Sequence, residues 1–316
     1  MEYRRLGRAG VKVSAIGLGG NTFGRYCDEE QSVRVIRHAI DLGVNFLDTA
    51  DRYTGGRSEE YFGKAIAGRR TEVVLATKLG YPPLGGNAQR QPNDEGLSRW
   101  HIERSLEQSL RRLNTDYVDL YYMHKPDPTT PLEESLRALD DLVRAGKVRY
   151  VACSNFAAWQ VAHANGITAR EGFAPLVVTQ DPYNLLERGI EKELIPCLQT
   201  LGIGLIPYVP LAAGMLTGKY RKGEAMPPGV RGHDHPGLQA RFTDANYAKV
   251  ERLERFAQEH DRPMDALALA WLLAQPVVAS VIAGVTKTEQ VERNVKAADW
   301  KLSAADLAEI EALLKD

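Results

Sequence analysis

Eight short β-rich runs alternate with amphipathic helical patterns along almost the whole chain, and this alternation restricts the fold more than any other feature. Strands that alternate with helices build βαβ units and a parallel sheet. Eight such units in 316 residues, without a linker or composition break, predict an α/β fold of the (β/α)8 TIM barrel type, as a single domain over residues 1–316. The runs are SAIGLG (14–19), VNFLDTA (44–50), EVVLATK (72–78), YVDLYYMH (117–124), VRYVACSN (148–155), LVVTQDP (176–182), IGLIPYVP (203–210) and VVASVIAG (277–284).

Three segments lie outside the eight units. Residues 3–13, YRRLGRAGVKV, predict a small N-terminal hairpin before the first barrel strand. Residues 212–243 show little periodicity and predict a long loop after strand 7 of the barrel. Residues 303–316 predict a C-terminal helix that opens with a capping box between Ser303 and Asp306.

The doubly wound sheet is the main alternative, and its dinucleotide fingerprint is G-x-G-x-x-G after the first strand. In GLGGNTFG (17–24), Gly17 and Gly19 are in place, but Thr22 occupies the third glycine position. The Walker pattern also fails, because GMLTGKY (214–220) lacks the earlier glycine and has Tyr220 in place of Ser or Thr. The chain therefore has neither of the standard phosphate-binding loops.

Composition argues against several classes of protein. The net charge is −1 and the pI about 6.7, whereas a nucleic-acid-binding domain carries a clear basic excess. No apolar run approaches the roughly 18 residues of a membrane span, and MEYRRLGRAG leads into no apolar signal region. The cysteines, Cys27, Cys153 and Cys197, have no framework spacing and predict reduced thiols. We expect a cytoplasmic protein with no nucleic-acid or membrane partner.

Polar side chains end several consecutive predicted strands. Catalytic groups of such barrels gather at the C-terminal strand ends, and neighbouring strands lie roughly 4.8 Å apart. Tyr53, in the loop after the second strand, can reach the same volume. Taken singly, these residues fit an ion pair, a buried histidine and a loop aromatic, but together they favour a catalytic site. The strand-end residues are Asp48, Lys78, His124, Ser154, Asn155 and Gln180.

The residue types suit proton transfer to a carbonyl oxygen. A phenol titrates near pH 10, and a neighbouring ammonium stabilises the phenolate, so we expect Lys78 to lower the pKa of Tyr53. Asp48 would hold Lys78 charged and in position. His124, if neutral, could donate a hydrogen bond to the substrate oxygen as a hydride reaches its carbon. No metal is required, and His233-Asp234-His235 in the long loop favours a solvated segment over a metal site.

At these residues the sequence resembles the aldo-keto reductase superfamily. DTADRY (48–53) matches its Asp-x-x-x-x-Tyr segment, ATK (76–78) its lysine strand and YYMHKP (121–126) its histidine strand. The resemblance runs from GLGGNTFG to GVTKTEQVERN. It implies that Tyr53 is the general acid, that Lys78 and Asp48 tune it, and that His124 orients the carbonyl of a small-molecule substrate. It also implies NADPH or NADP+, bound in an extended form without a Rossmann domain.

The same resemblance assigns the cofactor positions. The nicotinamide end would lie near Gly20, Asn21, Thr22 and Asp48. The carboxamide would be held by Ser154, Asn155 and Gln180, with Tyr208 stacked on the ring. The pyrophosphate would follow Leu211, Ala212, Gly214 and Lys219, with Arg231 as a further candidate. The adenosine phosphate would be surrounded by Gly284, Thr286, Lys287, Gln290 and Asn294.

Two charge patterns agree with a bound phosphate. Residues 212–243 contain five Lys or Arg and two acids, which suits either a solvated loop or a lid that clamps an anion. Thr286 and Glu289 predict a capping box that places Lys287 in the first helical turn. A cation there opposes the helix dipole, and a phosphate at the helix N-terminus would explain it.

The leading hypothesis is an NADPH-dependent aldehyde or ketone reductase. The reverse reaction, an NAD(P)+-dependent sugar or alcohol dehydrogenase, is the first alternative. The second is a cofactor-bound sensor or partner subunit with slow turnover, because residues 96–127 resemble the branch that includes the β-subunits of potassium channels. Lys125 could favour an anionic aldehyde, although a solvated lysine is the simpler interpretation. Oligomeric state stays open. Candidate pocket aromatics are Phe23, Tyr26, Tyr81, Trp100 and Tyr208.

Overall fold

The computed structural model describes residues 1–82, 91–224 and 241–315. Within these ranges eight parallel strands form one sheet, with helices between successive strands, and the predicted (β/α)8 barrel is confirmed. Strands β3 to β10 correspond in order to the eight predicted runs. They are β3 (Ile16–Gly19), β4 (Phe46–Asp48), β5 (Val74–Leu79), β6 (Val118–Met123), β7 (Val148–Ser154), β8 (Leu176–Pro182), β9 (Gly204–Tyr208) and β10 (Val281–Gly284).

The sheet runs in the order β10-β3-β4-β5-β6-β7-β8-β9, so its two ends must meet to close the barrel. They meet just before β10. The Leu205 amide donates to the Val277 carbonyl at 2.8 Å, and the Ala279 amide donates to the Leu205 carbonyl at 2.9 Å. These bonds satisfy backbone groups that an open sheet edge would leave exposed.

The helices pack around the barrel and end on identifiable caps. Helix α3 starts where Ser98 accepts from the His101 amide, and it ends at Asn114, whose φ of 50° is left-handed. The helices are α1 (Glu29–Asp41), α2 (Arg57–Ile66), α3 (Arg99–Leu113), α4 (Leu132–Arg144), α5 (Ala158–Glu171), α6 (Leu194–Leu201), α7 (Asp244–Glu259), α8 (Met264–Leu273), α9 (Thr288–Ala297) and α10 (Ala304–Leu314). None of the helices in the described ranges combines the length and apolarity that crossing a lipid bilayer demands.

The predicted capping box of the C-terminal helix α10 is confirmed. The Ser303 amide donates to the Asp306 carboxylate at 2.7 Å, and the Asp306 amide donates to the Ser303 hydroxyl at 3.1 Å. Two otherwise unpaired helix donors are thereby satisfied.

The predicted N-terminal hairpin, β1 (Tyr3–Arg5) with β2 (Lys12–Ser14), is confirmed and covers the amino end of the barrel. Leu6 and Val13 are fully buried and join the apolar cluster of the barrel interior. Gly7 has a φ of 56°, and a Cβ there would overlap the Val177 carbonyl oxygen. The hairpin backbone can approach β8 only because this residue is glycine.

The pleat of the strands carries the polar residues into the barrel at its carboxyl end. Side chains two residues apart point to the same face of a strand. Apolar interior residues on six strands are each followed, two positions later, by a residue at the carboxyl end. The interior residues are Phe46, Ala76, Ala152, Val178, Ile206 and Ile282. The residues two positions later are Asp48, Lys78, Ser154, Gln180, Tyr208 and Gly284.

The segment after β9 is only partly described. Residues 212–217 form a short 3-10 turn. The two described parts of the segment contact each other where the rings of Tyr220 and Phe242 pack edge to face, with their centroids 5.0 Å apart. The predictions made for Arg231 and for His233-Asp234-His235 lie outside the described residues.

Candidate active site

A buried ion pair lies at the centre of the carboxyl end. The Lys78 ammonium contacts the Asp48 carboxylate and also donates to the Thr49 carbonyl at 2.8 Å. The second carboxylate oxygen of Asp48 accepts from the Gln180 amide at 3.0 Å. Asp48 and Lys78 are almost completely inaccessible to solvent. Such a pair is stable in a dry interior only because the remaining lone pairs and protons are also hydrogen-bonded.

Lys78 is held in its charged form. Burial alone would lower the pKa of its ammonium, but Asp48 and Tyr53 act in the opposite direction, and the pKa is raised. For Asp48, burial raises the pKa of the carboxyl, while Lys78 and Gln180 oppose this. The interior thus contains one positive charge directly beneath the tyrosine.

Tyr53 is half-buried and starts a 3-10 turn, Tyr53–Gly56, in the loop after β4. The Nζ of Lys78 lies 5.2 Å from the centroid of the Tyr53 ring. Burial raises the pKa of Tyr53, and the opposing effect of Lys78 is smaller. The expectation of a lowered pKa is therefore wrong for the free protein, because desolvation of the phenolate outweighs the ammonium. Tyr53 is protonated at neutral pH and has a proton to donate.

The turn that carries Tyr53 is anchored against the neighbouring loop. Thr54 has a φ of 51°, an uncommon value for a β-branched residue, and its hydroxyl donates to the Phe23 carbonyl at 3.0 Å. Gly24 has no side chain at this contact, and a Cβ there would come within 2.8 Å of the Thr54 hydroxyl. The loops after β3 and β4 therefore fix Tyr53 together.

His124 is buried beside Tyr53. Its ring packs edge-on against Tyr53 at 5.9 Å and against Tyr81 at 4.9 Å. Burial lowers the pKa of His124 well below its usual value, and the charges of Lys78 and Arg52 add to this effect. The imidazole is therefore neutral at physiological pH. Its buried Nδ1 has no hydrogen-bond partner within the described ranges.

The side chains of Ser154, Asn155 and Tyr208 form a second hydrogen-bonded group beside the ion pair, together with the backbone carbonyl of Gln180. The Ser154 hydroxyl donates to the Gln180 carbonyl at 2.6 Å, and the Asn155 amide donates to the Ser154 hydroxyl at 3.0 Å. The Tyr208 hydroxyl donates to the Asn155 side-chain oxygen at 2.7 Å. Asn155 adopts a φ of 63°, held by a bond from its amide to Asp181 at 3.1 Å.

These residues line one cavity of about 630 Å³ at the carboxyl end of the barrel. Lys78 lies beneath the cavity floor and contacts it through Tyr53. Lining residues that the sequence predicted are Gly20, Asn21, Asp48, Tyr53, His124, Ser154, Asn155, Gln180, Tyr208 and Gly284. Lining residues that the sequence reasoning missed include Arg25, Arg52 and Thr54. Arg52 lies within the DTADRY segment, and its position next to Tyr53 was a signal that could have identified it.

The candidate aromatic residues divide into three groups. Tyr26, Tyr81 and Tyr208 line the cavity. Phe23 is fully buried in the core outside the barrel, where it packs on Phe62. Trp100 is 64% exposed at the start of α3 and does not line the cavity.

Several predicted cofactor residues do not line this cavity. The Thr22 hydroxyl donates to the Val285 carbonyl at 2.7 Å and ties the loop after β3 to the segment after β10. Lys219 packs against Gly214, where a Cβ would lie 3.1 Å from its Nζ. The full set is Thr22, Leu211, Ala212, Gly214, Lys219, Thr286, Lys287, Gln290 and Asn294.

The turn after β9 has an unusual backbone. Val209, Ala212 and Ala213 have φ values of 54°, 45° and 60°, and Gly214 has 96°. Left-handed residues other than glycine cost about 1–3 kcal/mol each and persist where the surroundings enforce them. The segment to which the resemblance assigns the pyrophosphate is thus a constrained loop, not a continuation of a helix.

The start of α9 differs from the prediction by one residue. The N-cap is Lys287, and the Gln290 side-chain oxygen accepts from the amides of Thr286 at 2.6 Å and Lys287 at 3.1 Å. The predicted capping box of Thr286 with Glu289 is wrong, because Gln290 occupies the N3 position that reaches back. The Lys287 side chain is exposed immediately before the first turn, not within it.

The polar group around Asn155 is suited to an amide ligand. A side-chain carbonyl oxygen has two lone pairs, and the Asn155 oxygen uses one for Tyr208. The Ser154 hydroxyl likewise donates one bond and accepts one, which leaves a lone pair. Two spare acceptors near the Tyr208 hydroxyl match the two donors of a carboxamide. The residues present therefore fit the nicotinamide end of a dinucleotide.

Comparison with known proteins gives consistent matches over nearly the full length. The Aldo/keto reductase family matches residues 15–315. A probable voltage-gated potassium channel subunit beta of Oryza sativa is 40% identical over 95% of this chain and 92% of its own. An uncharacterised oxidoreductase of Bacillus subtilis is 39% identical over 96% and 92%. The L-glyceraldehyde 3-phosphate reductase of Escherichia coli is 36% identical over 100% and 93%.

Proposed function

The chain belongs to the aldo/keto reductase family, and on that basis we propose that it reduces an aldehyde or ketone to an alcohol with NADPH, using Tyr53 as the general acid. Its family and its reductase-named relatives make it an oxidoreductase that acts on carbonyl compounds. One observation carries the finer proposal. A protonated phenol and a neutral imidazole line the cavity side by side, with their ring centroids 5.9 Å apart, and a buried ammonium lies 5.2 Å from the centroid of the phenol ring.

Each residue has a defined part in this proposal. When bound, the cofactor supplies the hydride. Ser154, Asn155 and Gln180 would hold its carboxamide, and Tyr208 would lie against its ring. Tyr53 gives its proton to the carbonyl oxygen as negative charge develops there. The Lys78 ammonium, fixed by Asp48, stabilises the phenolate that remains.

His124 acts on the same oxygen without transferring charge. A neutral imidazole has one N–H donor and one acceptor nitrogen. Because its pKa is well below the ordinary value, His124 keeps this form across the physiological range. Its N–H can therefore donate a hydrogen bond that strengthens as the oxygen becomes an alkoxide.

The central test is Tyr53→Phe. This variant loses the transferable proton but keeps the ring, so we expect kcat to fall by about 10²–10⁴ while NADPH still binds. The measurements are steady-state reduction of simple aldehydes and titration of NADPH by quenching of intrinsic fluorescence. Tyr150→Phe, at the amino end of β7, is the matched control and should keep the wild-type rate. Unchanged turnover in Tyr53→Phe would remove the tyrosine from this role.

Preference for NADPH over NADH is a separate part of the proposal. Lys287 is exposed at the start of α9, has no ion-pair partner in the described part of the chain, and follows a loop that also lines the cavity at Gly284. The two cofactors differ by one phosphate, so a charge-assisted contact there would discriminate between them directly.

Lys287→Ala tests this preference. Hydrogen bonds to charged groups contribute about 1.5–3 kcal/mol, so the Kd for NADPH should rise about tenfold to hundredfold while that for NADH stays nearly constant. Lys296→Ala, at the exposed opposite end of the same helix, is the control. Equal weakening of both cofactors would mean that Lys287 contacts the shared part of the dinucleotide or supports the fold.

One alternative function is favoured by a specific comparison. Because a relative at 40% identity is named as a potassium channel subunit, the chain could act as a cofactor-bound sensor with slow turnover. The steady-state rate separates the two functions, since a sensor would retain NADPH yet reduce simple aldehydes very slowly. Assaying both directions with the same carbonyl and alcohol pair separates reductase from dehydrogenase.

A further inference from the structure

Arg52 differs from the other half-buried arginines of the described residues. Each of the others forms an ion pair with a carboxylate or donates to backbone carbonyls, whereas the Arg52 guanidinium has neither kind of partner there. It lies against the Tyr81 ring, whose centroid is 4.1 Å from the guanidinium carbon. The others are Arg4, Arg69, Arg70, Arg99, Arg112, Arg188, Arg241 and Arg252.

Toward the residues that the structure describes, the contact with Tyr81 leaves the hydrogen-bond donors of the Arg52 guanidinium unused. A guanidinium stacks through its flat face, and its five N–H donors point outward from its edge. Arg52 lines the cavity, so these donors are available to a molecule bound inside it. A half-buried cation without an acceptor is unfavourable in the free protein, and an anionic ligand would remove that cost.

Arg52 is also close to the proposed reaction centre. The Tyr81 ring packs edge-on against His124 at 4.9 Å, so one aromatic ring separates the guanidinium from the imidazole. The Lys125 ammonium lies 4.9 Å from the centroid of the same ring. Lys125 has no carboxylate partner in the described ranges either. Two cations therefore lie against Tyr81, which lines the cavity beside His124, and of these two Arg52 lines the cavity itself.

The charges that line the cavity reinforce this arrangement. Within the described ranges they are Arg25, Arg52 and Asp48. The Asp48 carboxylate is neutralised by Lys78 and cannot also balance Arg52. The cavity wall consequently has a positive excess although the chain as a whole has a net charge of −1. Such a local field raises the concentration of anionic molecules at the cavity mouth.

We propose that Arg52, with Lys125 beside it, binds an anionic group of the substrate, so that the preferred substrates are aldehydes that carry a carboxylate or a phosphate a few bonds from the carbonyl. The proposal rests on the proposed reductase function and specifies its substrate class. Arg52 acts as a specificity residue, because it holds the far end of the substrate while Tyr53 and His124 contact the oxygen. A bidentate contact to a carboxylate or phosphate uses the paired N–H donors at its edge.

The test compares each anionic aldehyde with a neutral counterpart. One pair is 4-formylbenzoate with its methyl ester, and the other is glyceraldehyde 3-phosphate with glyceraldehyde. For the wild type we expect kcat/KM to favour the anionic member of at least one pair by about tenfold to hundredfold. The pair that shows the larger ratio identifies carboxylate or phosphate as the preferred anion. Raising the ionic strength should reduce the ratio, since a half-exposed charge is screened.

Arg52→Gln should bring the ratio of kcat/KM for the anionic and the neutral aldehyde toward one. Arg52→Lys should retain part of this ratio, because the charge remains but the paired N–H donors of the guanidinium are lost. Arg255→Gln, an exposed arginine on α7, makes the same change in net charge and should keep the wild-type ratio. Far-UV circular dichroism and thermal unfolding confirm that each variant is folded. A wild-type ratio near one in both pairs, or a ratio unaffected by Arg52→Gln, overturns the proposal.

A binding measurement separates this proposal from the reductase function. Isothermal titration with 4-formylbenzoate and with glyceraldehyde 3-phosphate, in the presence of NADP+, needs no turnover. Binding that Arg52→Gln weakens about tenfold or more, in a wild-type protein that reduces no aldehyde, would support the anion site and reject the reductase function. Equal binding by the wild type and Arg52→Gln would overturn the anion site whatever the turnover.

Discussion

The two ends of the barrel each bury an aspartate against a cation, but the surroundings of the two aspartates differ. At the amino end, Asp119 accepts from the Leu75 amide at 2.9 Å and contacts Arg70 at 2.7 Å and Arg149 at 3.5 Å. Arg70 gives its other donors to Thr115 and to backbone carbonyls. The hydrogen-bonding groups of Asp119 and Arg70 are thus paired with other groups of the protein.

At the carboxyl end, the Asp48–Lys78 pair is more deeply buried than the Asp119 pairs, but its neighbours keep unused hydrogen-bonding groups. The Lys78 ammonium lies 5.2 Å from the ring centroid of Tyr53, which lines the cavity, and the buried Nδ1 of His124 lacks a partner in the described residues. Arg52 has no acceptor there either. Buried charge alone does not distinguish a site from a structural pair; the distinction lies in hydrogen-bonding groups left for a ligand.

The largest effect should come from Lys78→Met. It removes the charge beneath Tyr53, so kcat should fall by at least about 10²–10⁴. It also leaves Asp48 buried without its partner, which should cost about 3–5 kcal/mol of unfolding free energy. Arg149→Met, at the opposite end, changes an ion pair whose arginine side chain is 56% exposed and should leave kcat unaltered. Steady-state kinetics and urea unfolding measure both quantities, and a wild-type rate for Lys78→Met would contradict the distinction.

Asp119→Asn should produce the complementary result. The amide retains the shape of the side chain but loses the charge that Arg70 and Arg149 face. We expect the free energy of unfolding to fall by about 1–3 kcal/mol while kcat stays at the wild-type value. Asp299→Asn, at an exposed position, is the control for the change in net charge. Loss of turnover in a fully stable Asp119→Asn protein would show that the amino end contributes to catalysis.

Asp51→Asn should change how stability depends on pH. Burial, assisted by the charge of Glu59, raises the pKa of Asp51 to about 8. An unfolded Asp titrates near pH 4, so the native state binds more protons between about pH 4 and 8, and stability falls as pH rises through that window.

Asn cannot ionise, so this component is absent from the variant. Its unfolding free energy relative to the wild type should rise between pH 5 and pH 8, by about 1–2 kcal/mol after allowance for solvent screening. Urea unfolding at the two pH values provides the measurement. A difference that stays constant with pH would mean that Asp51 is ionised in the folded protein throughout.

Removal of metal ions should have no effect on the rate of aldehyde reduction. Within the described ranges no group of three or more His, Cys, Asp or Glu side chains is placed to hold a metal. Dialysis against EDTA should therefore leave the rate of aldehyde reduction unchanged. A rate that falls on dialysis and recovers with Zn²⁺ or Mg²⁺ would show that the carboxyl end uses a metal in addition to Tyr53 and His124.

The sequence predicted those parts of the molecule that depend on local periodicity. The strand runs, the hairpin and the Ser303 capping box each follow from neighbouring residues, and all are confirmed. The convergence of Asp48 and Lys78 was also predictable, because parallel strands end at one face of a barrel. The roles assigned to the cofactor residues stay predictions.

Features that depend on many tertiary contacts at once could not be predicted from the sequence. The pKa of Tyr53 is set by the competition between burial and Lys78, and a motif does not determine which is larger. The N-cap at Lys287 lies one residue beyond its predicted position because Gln290 competes with Glu289 for the same role. That Arg52 has no carboxylate partner among the described residues emerges only from the tertiary structure.

Along several strands of the barrel, an apolar interior residue is followed two positions later by a residue of the carboxyl end. This spacing restricts how related enzymes can diverge. An insertion or deletion of one residue within β5 would turn Lys78 toward the helices and bring Thr77 or Leu79 to the cavity floor. In the loops that follow the strands, an insertion or deletion does not turn side chains from one face of the sheet to the other. Insertions in these loops can therefore change the substrate range. The proton-transfer residues keep their relative positions as long as the lengths of the strands are kept.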